Sequence, residues 1–114
     1  MIIPLSFQAP PLTANQRLHW RRRADLTRTV RHEVAIRAAG KGPLDPPITV
    51  CLHYRPRDRR RRDADNLVPT LKACADGLVD ARLVDDDTPD LMVKLMPVIH
   101  APDGPARCWL EVSW

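Results

Sequence analysis

The chain has only three cysteines, Cys51, Cys74 and Cys108, an odd number set far apart in apolar or strand-like contexts. Such a set supports neither a disulfide framework nor a zinc site, and reads as buried thiols in a reducing compartment. No apolar run approaches the length needed to cross a bilayer, and the opening MIIPLSF lacks the basic flank and the length of a secretory signal. A soluble cytoplasmic protein with no membrane partner is expected. Aromatic residues number five, too few to expect a base-stacking platform, so Trp20, Trp109 and Trp114 are read as core or dimer-interface anchors. The four histidines, His19, His32, His53 and His100, share no metal-ligand spacing and read as ordinary surface or core residues. There is no internal repeat, and no low-complexity segment beyond one arginine run.

Lysine is also scarce: three lysines stand beside fifteen arginines, and the formal net charge is +4. Guanidinium groups pair bidentately with phosphate, so this balance suits a polyanion such as nucleic acid, although a GC-rich coding sequence produces a similar excess. With 114 residues and 44% hydrophobic content, the chain is long enough for one core and too short for two, which gives one domain spanning residues 1–114.

The hydrophobic pattern orders the elements. IIPLSF (residues 2–7) reads as a short strand that Pro4 pushes to a sheet edge. From about Trp20 to Ala39 there is no glycine or proline, and Leu26, Val30, Val34 and Ala38 recur at helical spacing under a basic outer face. ITVCLHYR (48–55) alternates as a strand. Leu67, Leu71, Cys74 and Leu78 form the apolar face of a second helix from about Asn66 to Arg82, with Pro69 tolerated in its first turn. LMVKLMPV (91–98) and ARCWLEVSW (106–114) alternate again around an Asp103-Gly104 turn signal and predict a closing hairpin. The order β-α-β-α-β-β implies an α+β domain, a mixed sheet packed against two helices.

Acidic residues are unevenly placed: nine of twelve aspartates lie between Asp58 and Asp90. RRRRDADN (59–66) sets four arginines against Asp63 and Asp65, and Asp85, Asp86 and Asp87 follow the second helix. Two residues apart on a helix point in opposite directions, so Asp63 and Asp65 converge only where strand turns into helix. Carboxylates gathered in this way call for a hard cation with oxygen ligands, typically magnesium or manganese. Beside arginines that hold a phosphodiester, such a cation can activate water, which is nuclease chemistry in outline. The bland alternative makes Asp63 or Asp65 a helix cap and the later aspartates a solvated loop. Arg21, Arg22 and Arg23 read equally as a solvated helix face or a phosphate track.

RRRRDADNL followed by KACADGLVDARLVDDD resembles the signature of the RusA family of Holliday junction resolvases, and PPLTAN resembles that family's Pro-Pro-Ser-x-Asn loop, with Thr13 replacing serine and Asn15 retained. The resemblance implies a homodimeric, magnesium-dependent endonuclease that nicks opposed strands of a four-way DNA junction in recombination and repair. By motif position it implies Asp63, Asp65 and Asp87 as metal-binding catalytic aspartates and Lys72 as the catalytic lysine. Lys72 follows Asp65 by seven residues, three more than the family's pattern, with the extra residues around Val68, Pro69 and Thr70. Asn15, Arg59, Arg60, Arg61 and Arg62 are the implied nucleic-acid contacts. Two other readings stay open: a nuclease of the same fold acting on other branched DNA, and a DNA-binding protein without catalysis.

Overall fold

Ile48, Val50, Leu52 and Tyr54 point one way from an eight-residue strand and all are buried, and this strand becomes the centre of the sheet. The computed structural model describes residues 1–114. Its strands are β1 (Ile2–Pro4), β2 (Ile48–Arg55), β3 (Met92–Lys94), β4 (Val98–Ile99) and β5 (Arg107–Ser113), and its helices are α1 (Trp20–Ala38) and α2 (Val68–Asp80). A 3₁₀ turn, Ala64–Leu67, leads into α2. The result is an α+β domain with a mixed five-stranded sheet and two helices. No helix is long and apolar enough to cross a membrane.

The helices lie where the periodicity put them. Val30, Val34 and Ala38 of α1, with Leu71, Cys74 and Leu78 of α2, are buried in one core with the inward residues of β2 and β5. Pro69 sits in the first turn of α2, where a missing amide costs little. All three cysteines are buried free thiols.

The closing hairpin does not form. β5 runs antiparallel to β2 from Thr49↔Ser113 to Arg55↔Arg107 and lies between β2 and β1. β3 and β4 pair in parallel with the other side of β2. The cause is the α2 crossover, which returns the chain to the starting end of β2 and so dictates a parallel neighbour. The segment expected as one strand is broken between Lys94 and Val98, where Pro97 supplies no amide. The Asp103-Gly104 turn instead carries the chain over the end of β2, where Arg55 Nε donates to the Pro105 carbonyl at 2.9 Å. β1 is an edge strand, as Pro4 requires, but only three residues long.

The tryptophans lie away from the core. Trp20 and Trp114 are 68% and 61% exposed and lie outside the core. Trp109 packs on the sheet face opposite the helices, with Arg107 4.4 Å from its ring centroid. Two of the supposedly scattered histidines meet beside it: His53 Nδ1 and His100 Nε2 are 2.8 Å apart, and His53 Nε2 lies 3.1 Å from Glu111 Oε1. Burial, then the charges of His53 and Arg55, lower the His100 pKa.

Candidate active site

The charges of the arginine run divide into two sets. Asp58, just before the run, accepts Arg62 Nη2 at 2.7 Å and the Arg60 amide at 3.1 Å. Arg62 Nη1 also donates to the carbonyls of Asp58 and Arg60, both at 3.0 Å, and its guanidinium lies 5.8 Å from the Tyr54 ring centroid. The Arg62 hydrogen bond, with the Arg60 amide, holds the Asp58 carboxyl below the usual range. Arg62 is therefore the clamp of its own turn. Arg60 lies 3.5 Å from Asp58 and is 81% exposed, while Arg59 and Arg61 are exposed and have no acidic partner.

Asp63 and Asp65 form no ion pair and no side-chain hydrogen bond, and both are exposed. They flank the start of the 3₁₀ turn without capping it. The tightly packed opposite charges of residues 59–66 thus do not neutralise one another; the neutralising carboxylate is Asp58.

The PPLTAN loop is bolted onto this turn. Thr70 Oγ1 donates to the Leu12 carbonyl at 2.6 Å and accepts the Leu12 amide at 3.0 Å, inside the core. The Ala14 amide donates to the Asn66 carbonyl at 3.0 Å, and Thr13 Oγ1 donates to Asn15 Oδ1 at 3.0 Å. A cleft of about 250 Å³ lies between the two segments, lined by Thr13, Asn15, Arg61, Arg62, Asp63 and Asn66 among others. Two motifs fifty residues apart share this cleft.

Lys72 and Asp87 also meet. Lys72 Nζ lies 2.7 Å from Asp87 and 2.8 Å from Asp76, and Lys94 Nζ lies 3.1 Å from the same Asp87 oxygen. Asp86 instead accepts the Asp87 amide at 2.8 Å, which orients the turn. The Lys72 hydrogen bond, followed by that of Lys94, pulls the Asp87 carboxyl from 3.8 to about 2. Asp76, then Asp87, raises the pKa of Lys72.

The expected convergence of Asp63, Asp65 and Asp87 is not present as the side chains stand: no three His, Cys, Asp or Glu residues are grouped to hold a metal ion. Asp63 and Asp65 precede α2, whereas Asp87 lies beside Lys72 within that helix and is charge-compensated by two ammonium groups. Mutual repulsion is therefore not what Asp87 experiences. In metal-free buffer, Asp87→Asn is expected to lower the melting temperature at neutral pH. A carboxylate with a depressed folded-state pKa stabilises the fold above its ordinary value, and that contribution disappears as pH falls through the folded value. The gap between wild type and variant should close between about pH 4 and pH 2. Melts of both proteins across that range check it; a variant more stable at pH 7 would show that repulsion dominates.

Sequence reasoning missed Asp58, Asp76, Lys94 and Thr70. Asp76 carried a signal, since it stands four residues after Lys72 on one helix. Lys94 carried none, because β3 joins the site only through the parallel pairing.

No protein-family model matches the chain. Over 90 residues it is 31% identical to an uncharacterized protein of Xylella fastidiosa (strain Temecula1), an alignment covering 74% of this chain and 59% of that protein. The chain thus spans less than two thirds of the length of the relative it matches.

Proposed function

We propose that the protein is a magnesium-dependent endonuclease that resolves four-way DNA junctions by paired symmetric nicks. The observation that carries this reading is the shared cleft. Its walls bring an arginine without an acidic partner, Arg61, beside the exposed carboxylate of Asp63, and Asn15 faces them from the loop hydrogen-bonded to the 3₁₀ turn. A protein that only grips polyanions gains nothing from carboxylates left unpaired beside its arginines.

Asp63 and Asp65 have the donor chemistry that a hard divalent cation takes, exposed oxygens with no competing ammonium or guanidinium partner. Asp87 is the proposed third acidic group, kept ionised by Lys72 and Lys94. Magnesium, or manganese in its place, would supply Lewis-acid polarisation and orientation of water when bound. Arg59 and Arg61 would hold the phosphates on either side of the scissile bond, and Lys72 would steady the negative charge that develops there. Two opposed nicks across a two-fold junction need two equivalent sites, hence a homodimer. The three free buried thiols fit a reducing cytoplasm.

The test is incubation with magnesium and a synthetic mobile four-way junction, beside linear duplex and flap controls. Paired nicks confined to the junction support the proposal. Equal or better cutting of flaps selects a nuclease of other branched DNA, and tight binding without cleavage in magnesium or manganese selects a non-catalytic binder.

The division of the arginines predicts two different phenotypes. Arg59→Ala and Arg61→Ala should each reduce the salt slope of DNA binding by about one while leaving the melting temperature unchanged. Arg62→Ala should lower the melting temperature, because it releases Asp58 and the turn that both residues hold. Binding titrations at several salt concentrations, paired with thermal melts, separate the two.

A further inference from the structure

Trp20 has the greatest exposure of any large apolar side chain in the protein, yet it opens a nineteen-residue helix rather than fraying at a terminus. Its position is built. His19 caps α1 by accepting the Arg21 amide on Nδ1 at 3.2 Å, and its ring lies 5.7 Å from the indole in a near-parallel arrangement. The Arg21 guanidinium sits 5.2 Å from the indole centroid. The one carboxylate of this stretch, Asp25, is paired with Arg28 at 3.2 Å, which leaves Arg21 without an acidic partner. The patch is therefore an aromatic ring within unopposed positive charge, the combination that takes a base and its phosphates together.

It also adjoins the cleft. Arg23 lines the same groove as Trp20 and donates through Nη1 to the Thr13 carbonyl at 3.4 Å, and Thr13 in turn lines the cleft with Arg61 and Asp63. We propose that Trp20, with Arg21 over its ring and Arg23 in the same groove, is a stacking contact for an unpaired or unstacked base of the DNA whose phosphates occupy the arginine cleft. An indole cannot reach the face of a base inside an intact duplex; it can do so where the stack is interrupted, as in a single strand or at a branch point. The contact therefore selects branched or single-stranded over linear DNA. This inference rests on the DNA-cleaving reading above.

The experiment compares wild type, Trp20→Ala, Trp20→Phe and Trp114→Phe without magnesium, titrated with a four-way junction, an oligothymidylate and a linear duplex. Trp20→Ala should lose about tenfold in affinity for the first two, in line with a single stacked base, and little for the duplex, while Trp20→Phe recovers most of the loss. Quenching of indole fluorescence by the oligothymidylate should persist in Trp114→Phe and vanish in Trp20→Phe. Unchanged junction affinity in Trp20→Ala overturns the inference, as does an equal loss on linear duplex. A change of molar mass by light scattering without a change in DNA affinity overturns it too, by making a second copy of the chain the occupant. If the wild type binds and cuts junctions while the Trp20 variants match it, only this inference fails; if the wild type binds no DNA, the nuclease reading fails with it.

Discussion

Junction cleavage by Asp63→Asn and by Asp65→Asn is expected to fall by at least about a hundredfold, more than the loss typical of a group that merely supports a metal ligand. Binding should be unchanged or tighter. Both carboxylates are exposed and unpaired, so removing their charge breaks no ion pair and leaves the melting temperature of the metal-free protein where it was. The Asp63 variant also removes negative charge beside Arg61, on the wall that is proposed to face DNA phosphates. Lost turnover with retained fold and retained affinity distinguishes a catalytic carboxylate from a structural one. Asp86→Asn is the contrasting variant: its carboxylate accepts the Asp87 amide, a hydrogen bond that asparagine preserves, so cleavage should change little. Measured on a synthetic junction in magnesium, full cleavage by either Asp63 or Asp65 variant would remove those residues from the chemistry.

The parts of this fold that were legible from the sequence are those decided by local physics. Leu67, Leu71, Cys74 and Leu78 mark α2 because a 3.6-residue repeat has one buried side, and all four are buried. The alternation of β2 was equally plain. Pairing partners were less so, since LMVKLMPV alternates in the same way whether it lies parallel or antiparallel to its neighbour. A turn signal at Asp103-Gly104 favoured the hairpin, yet that turn serves a crossing over Arg55.

The candidate site divides along the same line. Asp63, Asp65 and the arginines could be placed together because they are consecutive, and the PPLTAN loop joins them through Thr70 in the first turn of α2. Lys94, the second partner of Asp87, depends on β3 and was invisible to spacing. Composition does not say where a residue stands: of the core and dimer-interface places read for Trp20, its exposure leaves only the second.

Gly77→Ala should be the most damaging conservative change in the helical layer. Gly77 lies within α2, in its last turn, where alanine would ordinarily gain up to about 1 kcal/mol from helix propensity. Here the added Cβ would stand 2.5 Å from the Arg31 carbonyl and 2.8 Å from Val34 Cβ, atoms belonging to the opposing helix and close to its axis. Neither can swing aside as the end of a long side chain would, so α1 and α2 must separate. Separation loosens Val34 and Leu78, both fully buried, and pulls on the bidentate Arg31–Asp80 pair that ties the helices at 2.5 and 2.8 Å. Overpacking of this kind costs typically about 1–3 kcal/mol and occasionally more, which here outweighs the gain in propensity. Less that gain, a net loss of up to about 2 kcal/mol corresponds to a fall of up to roughly 8 °C in melting temperature for a domain of this size. Gly104→Ala provides the comparison, since its Cβ would meet only the guanidinium end of Arg55 at 3.0 Å, which can give way. Thermal melts of the two variants beside wild type decide the matter: a large fall for Gly77→Ala and a small one for Gly104→Ala are expected, and a Gly77→Ala protein as stable as wild type would mean that the helices do not approach this closely.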